Sequence, residues 1–523
     1  MKILTIGIVE WLYAPLLIMI SVFTFVGCTK GPADYSRSRA TPATRAEVIH
    51  FCGDCHAYPR PETFPIHIWR DEVEQGYVFY DQSNRNDLTV PDKEAVVAYY
   101  EQLAPEGLRI LLPDKPSSIG PLVFEVQHLN RADALTPAIA HISQTGISQR
   151  TGTSLVVSDM REGQITLLTF ESKILSLETI ADIPFPAHVD RCDLDSNGEE
   201  DWLVADLGSY APADHIKGQL VWLKFDRSGF LKKSIPLLTD VGRVADTRTA
   251  DFDQDGDLDI LVAIFGWRKT GKLLWLEQVQ GDEEEIEFKE HLLDNRHGCS
   301  HIPLADIDGD GDIDIVALFS QEFESVDSFV NNGNGRFQKK VLYMADDPSY
   351  GSSSIELADV DGDGDFDVLY TNGDSLDSHL LKPYHSVQLL EQKDGLVFDH
   401  HHITDLPGAY CVKAGDIDGD GDLDLVASTM TLNFDHPFHS LIWLEQRVPM
   451  EFLRHNLETS LSQHACLLLE DLDSDGDLDI AVGHFEPRPV NQAKWLSLWW
   501  NEGKGNEDES ADPPGNDSLS GVR

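Results

Sequence analysis

Basic residues are the scarce class in this chain. Forty lysines and arginines face ninety aspartates and glutamates, a formal net charge of −50 over 523 residues. So acidic a surface repels phosphate, which excludes nucleic acid and anionic lipid headgroups as partners and favours cations. Cysteine is also sparse. Of seven, only Cys52 and Cys55 stand close together; Cys28, Cys192, Cys299, Cys411 and Cys466 are widely spaced and show no disulfide framework. Long apolar runs are lacking apart from Trp11 to Val26, which is short for a membrane span. There is no nucleophile motif, no nicotinamide or flavin fingerprint and no compact His/carboxylate metal spacing, so no ready-made catalytic constellation is visible. No methionine occurs between Met19 and Met160.

What is present begins with Cys52-Gly53-Asp54-Cys55-His56. Two thiols one short turn apart can add to the two vinyl groups on one edge of a porphyrin, and the following imidazole then lies beneath the ring. A zinc site would need a second Cys/His pair nearby, and a redox dithiol a βαβ context; neither is found. The run resembles the attachment motif of cytochromes c. The resemblance implies one covalent haem c on Cys52 and Cys55, with His56 as proximal iron ligand, in a small all-α domain over residues 46–110. Asp92 to Leu103 reads as its closing amphipathic helix, with Asp92 as cap and Ala95, Val96, Tyr99, Tyr100 and Leu103 on one face. With no methionine available, His67 is the best distal ligand within the domain. An open iron, or a ligand from elsewhere in the chain, remains the alternative.

The N-terminus reads as a signal peptide over residues 1–27, ending in Phe25-Val26-Gly27-Cys28. This tetrapeptide resembles a bacterial lipobox, with Phe25 where leucine is usual. It implies lipidation of Cys28, a tether over residues 28–45, and a body outside the cytoplasm, in the periplasm or on the outer surface. A plain anchor or a cleaved signal would also place the body outside. Residues 503–523 form a polar, Gly/Ser/Pro-containing tail with the composition of disorder.

The rest of the chain repeats at about 55 residues. An acidic nine-residue loop recurs with oxygens at positions 1, 3, 5 and 9. These are Asp193, Asp195, Asn197 and Asp201; Asp251, Asp253, Asp255 and Asp259; Asp306, Asp308, Asp310 and Asp314; Asp359, Asp361, Asp363 and Asp367; Asp416, Asp418, Asp420 and Asp424; and Asp471, Asp473, Asp475 and Asp479. Glycine at position 6 permits the sharp turn that brings such oxygens around Ca²⁺. An EF-hand would carry glutamate at position 12, where Val262, Ala317, Tyr370, Ala427 and Val482 stand instead, within β-type runs. The loops are therefore strand–loop–strand hairpins binding up to six calcium ions.

These hairpins resemble the FG-GAP/VCBS repeats of integrin-type β-propellers. The resemblance implies a multidomain chain: a small all-α cytochrome c domain, then an all-β seven-bladed β-propeller over residues 116–502 with calcium-binding hairpin loops. A first unit without the acidic loop begins near Ala138. The last unit lacks an outermost strand, and Leu122 to Leu129 has that strand's pattern, so it is expected to close the ring. The face opposite the hairpins carries the irregular loops, among them Trp267 to Lys269 and Asp374 to His385, and is the expected docking face. Cys411 and Cys466 share one offset and are expected as neighbours, as a disulfide or as two buried thiols. The implied function is extracytoplasmic electron transfer through haem, with the propeller as scaffold for a redox partner protein or extracellular ligand. The alternatives are a haem-coupled enzyme with its site on the loop face, or an adhesion propeller with an accessory haem.

Overall fold

The computed structural model describes residues 37–109, 120–131, 136–146, 153–281, 286–376, 378–393, 395–431, 437–461, 463–486 and 493–505. The signal peptide and Cys28 lie outside the described residues, as does nearly all of the tail. Among the described residues no helix is long and apolar enough to cross a membrane.

The N-terminal part contains α1 (Arg45–Cys52), α2 (Trp69–Gln82) and α3 (Lys93–Leu103). Thr44 starts α1 through a capping box: Glu47 N–H donates to Thr44 Oγ1 at 3.3 Å, and Thr44 N–H to Glu47 Oε2 at 2.8 Å. Asp92 caps α3, accepting from Ala95 N–H at 3.0 Å. The ring of Trp69 stacks on Tyr100 at 3.8 Å and 9°, joining α2 to α3. Val48, Phe64, Val73, Val96 and Tyr99 complete this small core. Leu103, expected on the same face, is exposed, because α3 ends there and Pro105 leads the chain away.

From Leu122 onward the chain is all β. Seven antiparallel sheets form the blades of a propeller. Blade one spans residues 139–182, blade two 186–241, blade three 244–294, blade four 299–344, blade five 354–405, blade six 409–460 and blade seven 464–504. Second strands such as Asp259–Ile264 and Asp314–Phe319 are buried throughout, because each sheet is covered on both faces by its neighbours. Leu203, Ala205 and Leu220 of blade two, for example, share one core with Val262, Ile264 and Leu274 of blade three. Blade four's first strand is broken into Cys299–His301 and Leu304–Ala305. Pro303, without an N–H, stands at the break.

Leu122–Leu129 pairs antiparallel with Leu496–Lys504, placing Val126 opposite Trp499, and becomes the outermost strand of blade seven. The ring is therefore closed by the start of the propeller sequence on its end, as the sequence pattern predicts.

The helical unit rests on the propeller over blades three to five. Arg60 N–H donates to Asp347 Oδ2 at 3.1 Å and its guanidinium to Asp346 Oδ2 at 3.3 Å. Lys382 lies 4.6 Å from the Phe64 ring centroid, and Arg268 4.4 Å from that of Phe79. Lys269 Nζ donates to Gln82 Oε1 at 3.2 Å, and Leu380 packs against the helical core.

Candidate functional site

Each acidic hairpin joins the first and second strands of its blade. The aspartate at position 1 captures the backbone of its own loop. Asp251 accepts from Asp255 N–H at 3.1 Å and Gly256 N–H at 3.0 Å, and Asp306 from Asp310 N–H at 3.0 Å and Gly311 N–H at 2.9 Å. Glycine at position 6 has φ of +98° in Gly256 and +96° in Gly311, a conformation that disfavours other side chains.

Carboxylate oxygens within 4.8 Å of one another come from Asp251, Asp253 and Asp255; Asp306, Asp308 and Asp314; Asp359, Asp361 and Asp363; Asp416, Asp418 and Asp420; and Asp471, Asp473 and Asp479. Buried oxygens without a hydrogen-bond donor sit among them, on Asp359, Asp418 and Asp473. Converging hard oxygens with unsatisfied lone pairs fit Ca²⁺. In blade two, Asp193, Asp195 and Asp201 do not converge in this way.

Position 9 has a second role that the motif does not reveal. Asp314 Oδ2 accepts from Ile307 N–H at 3.0 Å, and its Oδ1 from Asn331 N–H at 2.6 Å, tying the loop to the third strand. The same third-strand clamp recurs at Phe225 on Asp201, Gln278 on Asp259, Gln392 on Asp367, Gln446 on Asp424 and Asn501 on Asp479. Burial pushes Asp314 up to about 6 and Asp259, Asp424 and Asp479 up to about 7. Several clamp side chains also reach the preceding blade's hairpin: Asn331 Nδ2 donates to Phe252 O at 2.8 Å, and Asn501 Nδ2 to Ile417 O at 2.8 Å.

In the helical unit, Cys52 ends α1, and burial pushes its thiol up to about 11. Gly53 N–H closes the helix on Ile49 O at 3.0 Å, and the chain turns to the exposed Cys55, whose sulfur is 3.0 Å from the Arg85 guanidinium. His56 Nδ1 lies 2.7 Å from Ala57 O. A backbone carbonyl at Nδ1 fixes the tautomer that leaves Nε2 available to a metal, the second contact usual for a ligating imidazole. These residues fit a covalent haem. His67 is exposed between Ile66 and Ile68.

The loop face bears the helical unit, so part of the expected docking surface is covered by the chain itself. Beneath the unit, His297 Nε2 lies 2.9 Å from Glu322 Oε2. Glu322 is held below its usual range, burial being offset by His297 first and by His56 among the other charges. First-strand residues line the propeller axis. His141 and His188 stack at 4.1 Å, and His188 Nδ1 lies 3.1 Å from Asp246 Oδ1. Asp246 Oδ2 in turn accepts from Ile302 N–H at 3.0 Å, linking blades two, three and four. Burial lowers His141, His188 and His301, the last to about 4. Cys411 and Cys466 are both buried free thiols.

A family model described as FG-GAP-like repeat matches residues 290–370, the end of blade three, all of blade four and the first half of blade five. The match includes the hairpins of Asp306 and Asp359. No curated protein matches. Among solved structures, one similar chain is a catalytically inactive virginiamycin B lyase from Staphylococcus aureus with quinupristin. It shares 11% identity over 72% of this chain and 99% of that chain, with a TM-score of 0.44.

Proposed function

We propose that this chain is an extracytoplasmic electron-transfer protein, carrying one haem c on Cys52 and Cys55 and scaffolded by a calcium-stabilised propeller. The observation that carries the reading is His56, whose Nδ1 is tied to Ala57 O beside the two thiols. Bound haem would supply one-electron redox chemistry that no side chain offers. Cys52 and Cys55 would hold it, and His56 would present Nε2 to the iron. Tyr77, Tyr80 and Phe51 form an aromatic cluster next to Cys52, with Phe51 4.9 Å from Tyr77 and 5.2 Å from Tyr80, and would exclude water from that side. His67 is the distal ligand this reading places first.

The acidic hairpins would hold Ca²⁺, turning mutually repelling carboxylates into rigid turns, so that binding energy becomes folding energy. The uncovered part of the loop face would receive the redox partner or extracellular ligand. The motif ending at Cys28 would anchor the chain to a membrane through lipid, outside the cytoplasm.

The test is an optical spectrum of protein expressed with c-type maturation machinery, oxidised and reduced, with and without CO. The expected result is covalent haem, visible by haem staining on a denaturing gel and lost in Cys52→Ala. A low-spin spectrum unmoved by CO supports electron transfer, and ready CO binding moves the function toward catalysis or sensing. Wild-type protein without covalent haem overturns the reading.

A further inference from the structure

The six hairpins are alike in sequence, but blade two differs in what faces its loop. The third-strand residue before each clamp differs from blade to blade. In blades three, five and six it is Glu277, Glu391 and Glu445; in blades four and seven it is Val330 and Trp500; in blade two it is Lys224. The Lys224 ammonium pairs with Asp195, the position-3 aspartate. The two side chains are 8% and 0% exposed, so the pair is shielded from water and from competing ions. Lys224 also lies 5.1 Å from the Trp222 ring centroid. In the same register, Glu391 bears on Asp361 and Glu277 on Asp253, both position-3 aspartates. One place in the blade thus carries a cation in blade two and a carboxylate in three others, where Glu277 also pairs with Lys289 and His291, Glu391 with Lys393 and His401, and Glu445 with Arg447 and His455.

The rest of the blade-two loop agrees. Asn197 replaces an aspartate at position 5 and so removes one negative charge, although its Oδ1 accepts from Glu199 N–H at 2.8 Å just as the position-5 aspartates accept in the other five loops. Glu199, at position 7, pairs outward with Arg227 at 3.1 Å. Glu200 turns toward blade one, accepting from Gly146 N–H at 2.9 Å. Blade six has a lysine near its loop as well, Lys504 at 3.3 Å from Asp418, but that side chain is 56% exposed, and Asp416, Asp418 and Asp420 still converge.

We propose that Lys224 is the built-in cation of the blade-two hairpin, so that this propeller takes five calcium ions and not six, and that the residue at the Lys224 position selects between an internal ammonium and a metal. This rests on the calcium reading of the other hairpins. A lysine ammonium offers hydrogen-bond donors to carboxylate oxygens. It pairs with Asp195 Oδ2 without needing dissolved calcium; Asp195 Oδ1 stays buried without a donor, but the adjacent ammonium opposes a divalent ion there.

The experiment counts bound calcium by equilibrium dialysis with metal analysis on the full chain, in wild type, Lys224→Glu and Glu391→Lys. The expected counts are five, six and four. Wild type binding six, or Lys224→Glu leaving the count unchanged, overturns the proposal while the calcium reading stands. No calcium on wild type overturns the calcium reading itself. A measurement on wild type alone guards against variants that do not fold. In hydrogen exchange with and without chelator, the amides of the blade-two hairpin should keep their protection while those of the other five hairpins lose it. Equal loss in all six overturns the proposal.

Discussion

Glu324 is a fully buried carboxylate at the junction of blades four and five. Burial pushes it up to about 8, against the pull of Ser352 N–H at 2.8 Å, Gly351 N–H at 3.2 Å and the nearby Lys382 ammonium. Its folded-state value lies above its ordinary one. Its contribution to stability is therefore complete below about pH 4.5 and is lost as pH rises through about 8. Wild-type melting temperature should fall across that window, and Glu324→Gln should flatten the fall. A variant with the wild-type slope would assign the pH dependence to other groups. No motif points to Glu324, since its burial arises from Ser352 and Tyr370 of the next blade. Lys224 is hidden for a similar reason: it stands 29 residues from Asp195, and only the register of the third strand brings them together.

At the level of the element, each hairpin is locked by more than its own carboxylates. Asn501 is buried, and its side chain donates to Ile417 O at 2.8 Å and Leu478 O at 3.3 Å and accepts from Gly503 N–H at 3.0 Å. Asn501→Ala leaves these groups unsatisfied. It should cost about 1–3 kcal/mol in denaturant unfolding even with calcium saturating. A loss that calcium fully offsets would make the residue part of the metal site and not an inter-blade bond. The hairpins themselves were legible from spacing, because the left-handed glycine and the alternating aspartates are local requirements. Their cross-links were not, because Asn and Gln side chains take their meaning from the neighbouring blade. Helix α2 was also unread: only Trp69 and Val73 of it are buried, too few to set a periodic signal.

For the whole molecule, stability depends on a closed ring. Val126 sits mid-strand opposite Trp499, where the start of the propeller sequence completes blade seven. Val126→Pro fixes φ and removes an N–H in this closing strand and should lower the stability of the propeller, while Val126→Thr should be nearly neutral. Comparable denaturation midpoints for the two variants would mean that the seam contributes little. Fixing the helical unit to the propeller also has a functional consequence. Arg60 against Asp346 and Asp347, and Arg268 against Phe79, hold the Cys52–His56 turn over the loop face. A partner docking on that face, as proposed above, would meet the helices over blades three to five.

The sequence by itself determined the seven-unit all-β repeat, the closing strand, the hairpin turns and the thiol–imidazole run, because each depends on residue spacing within one local segment. Only the tertiary structure decided which carboxylates meet a lysine, how the imidazoles at the axis pair, and how much of the loop face the helices cover. Those outcomes depend on burial and on contacts between blades far apart in the chain, where a charge's partner is set by packing and not by its neighbours in sequence.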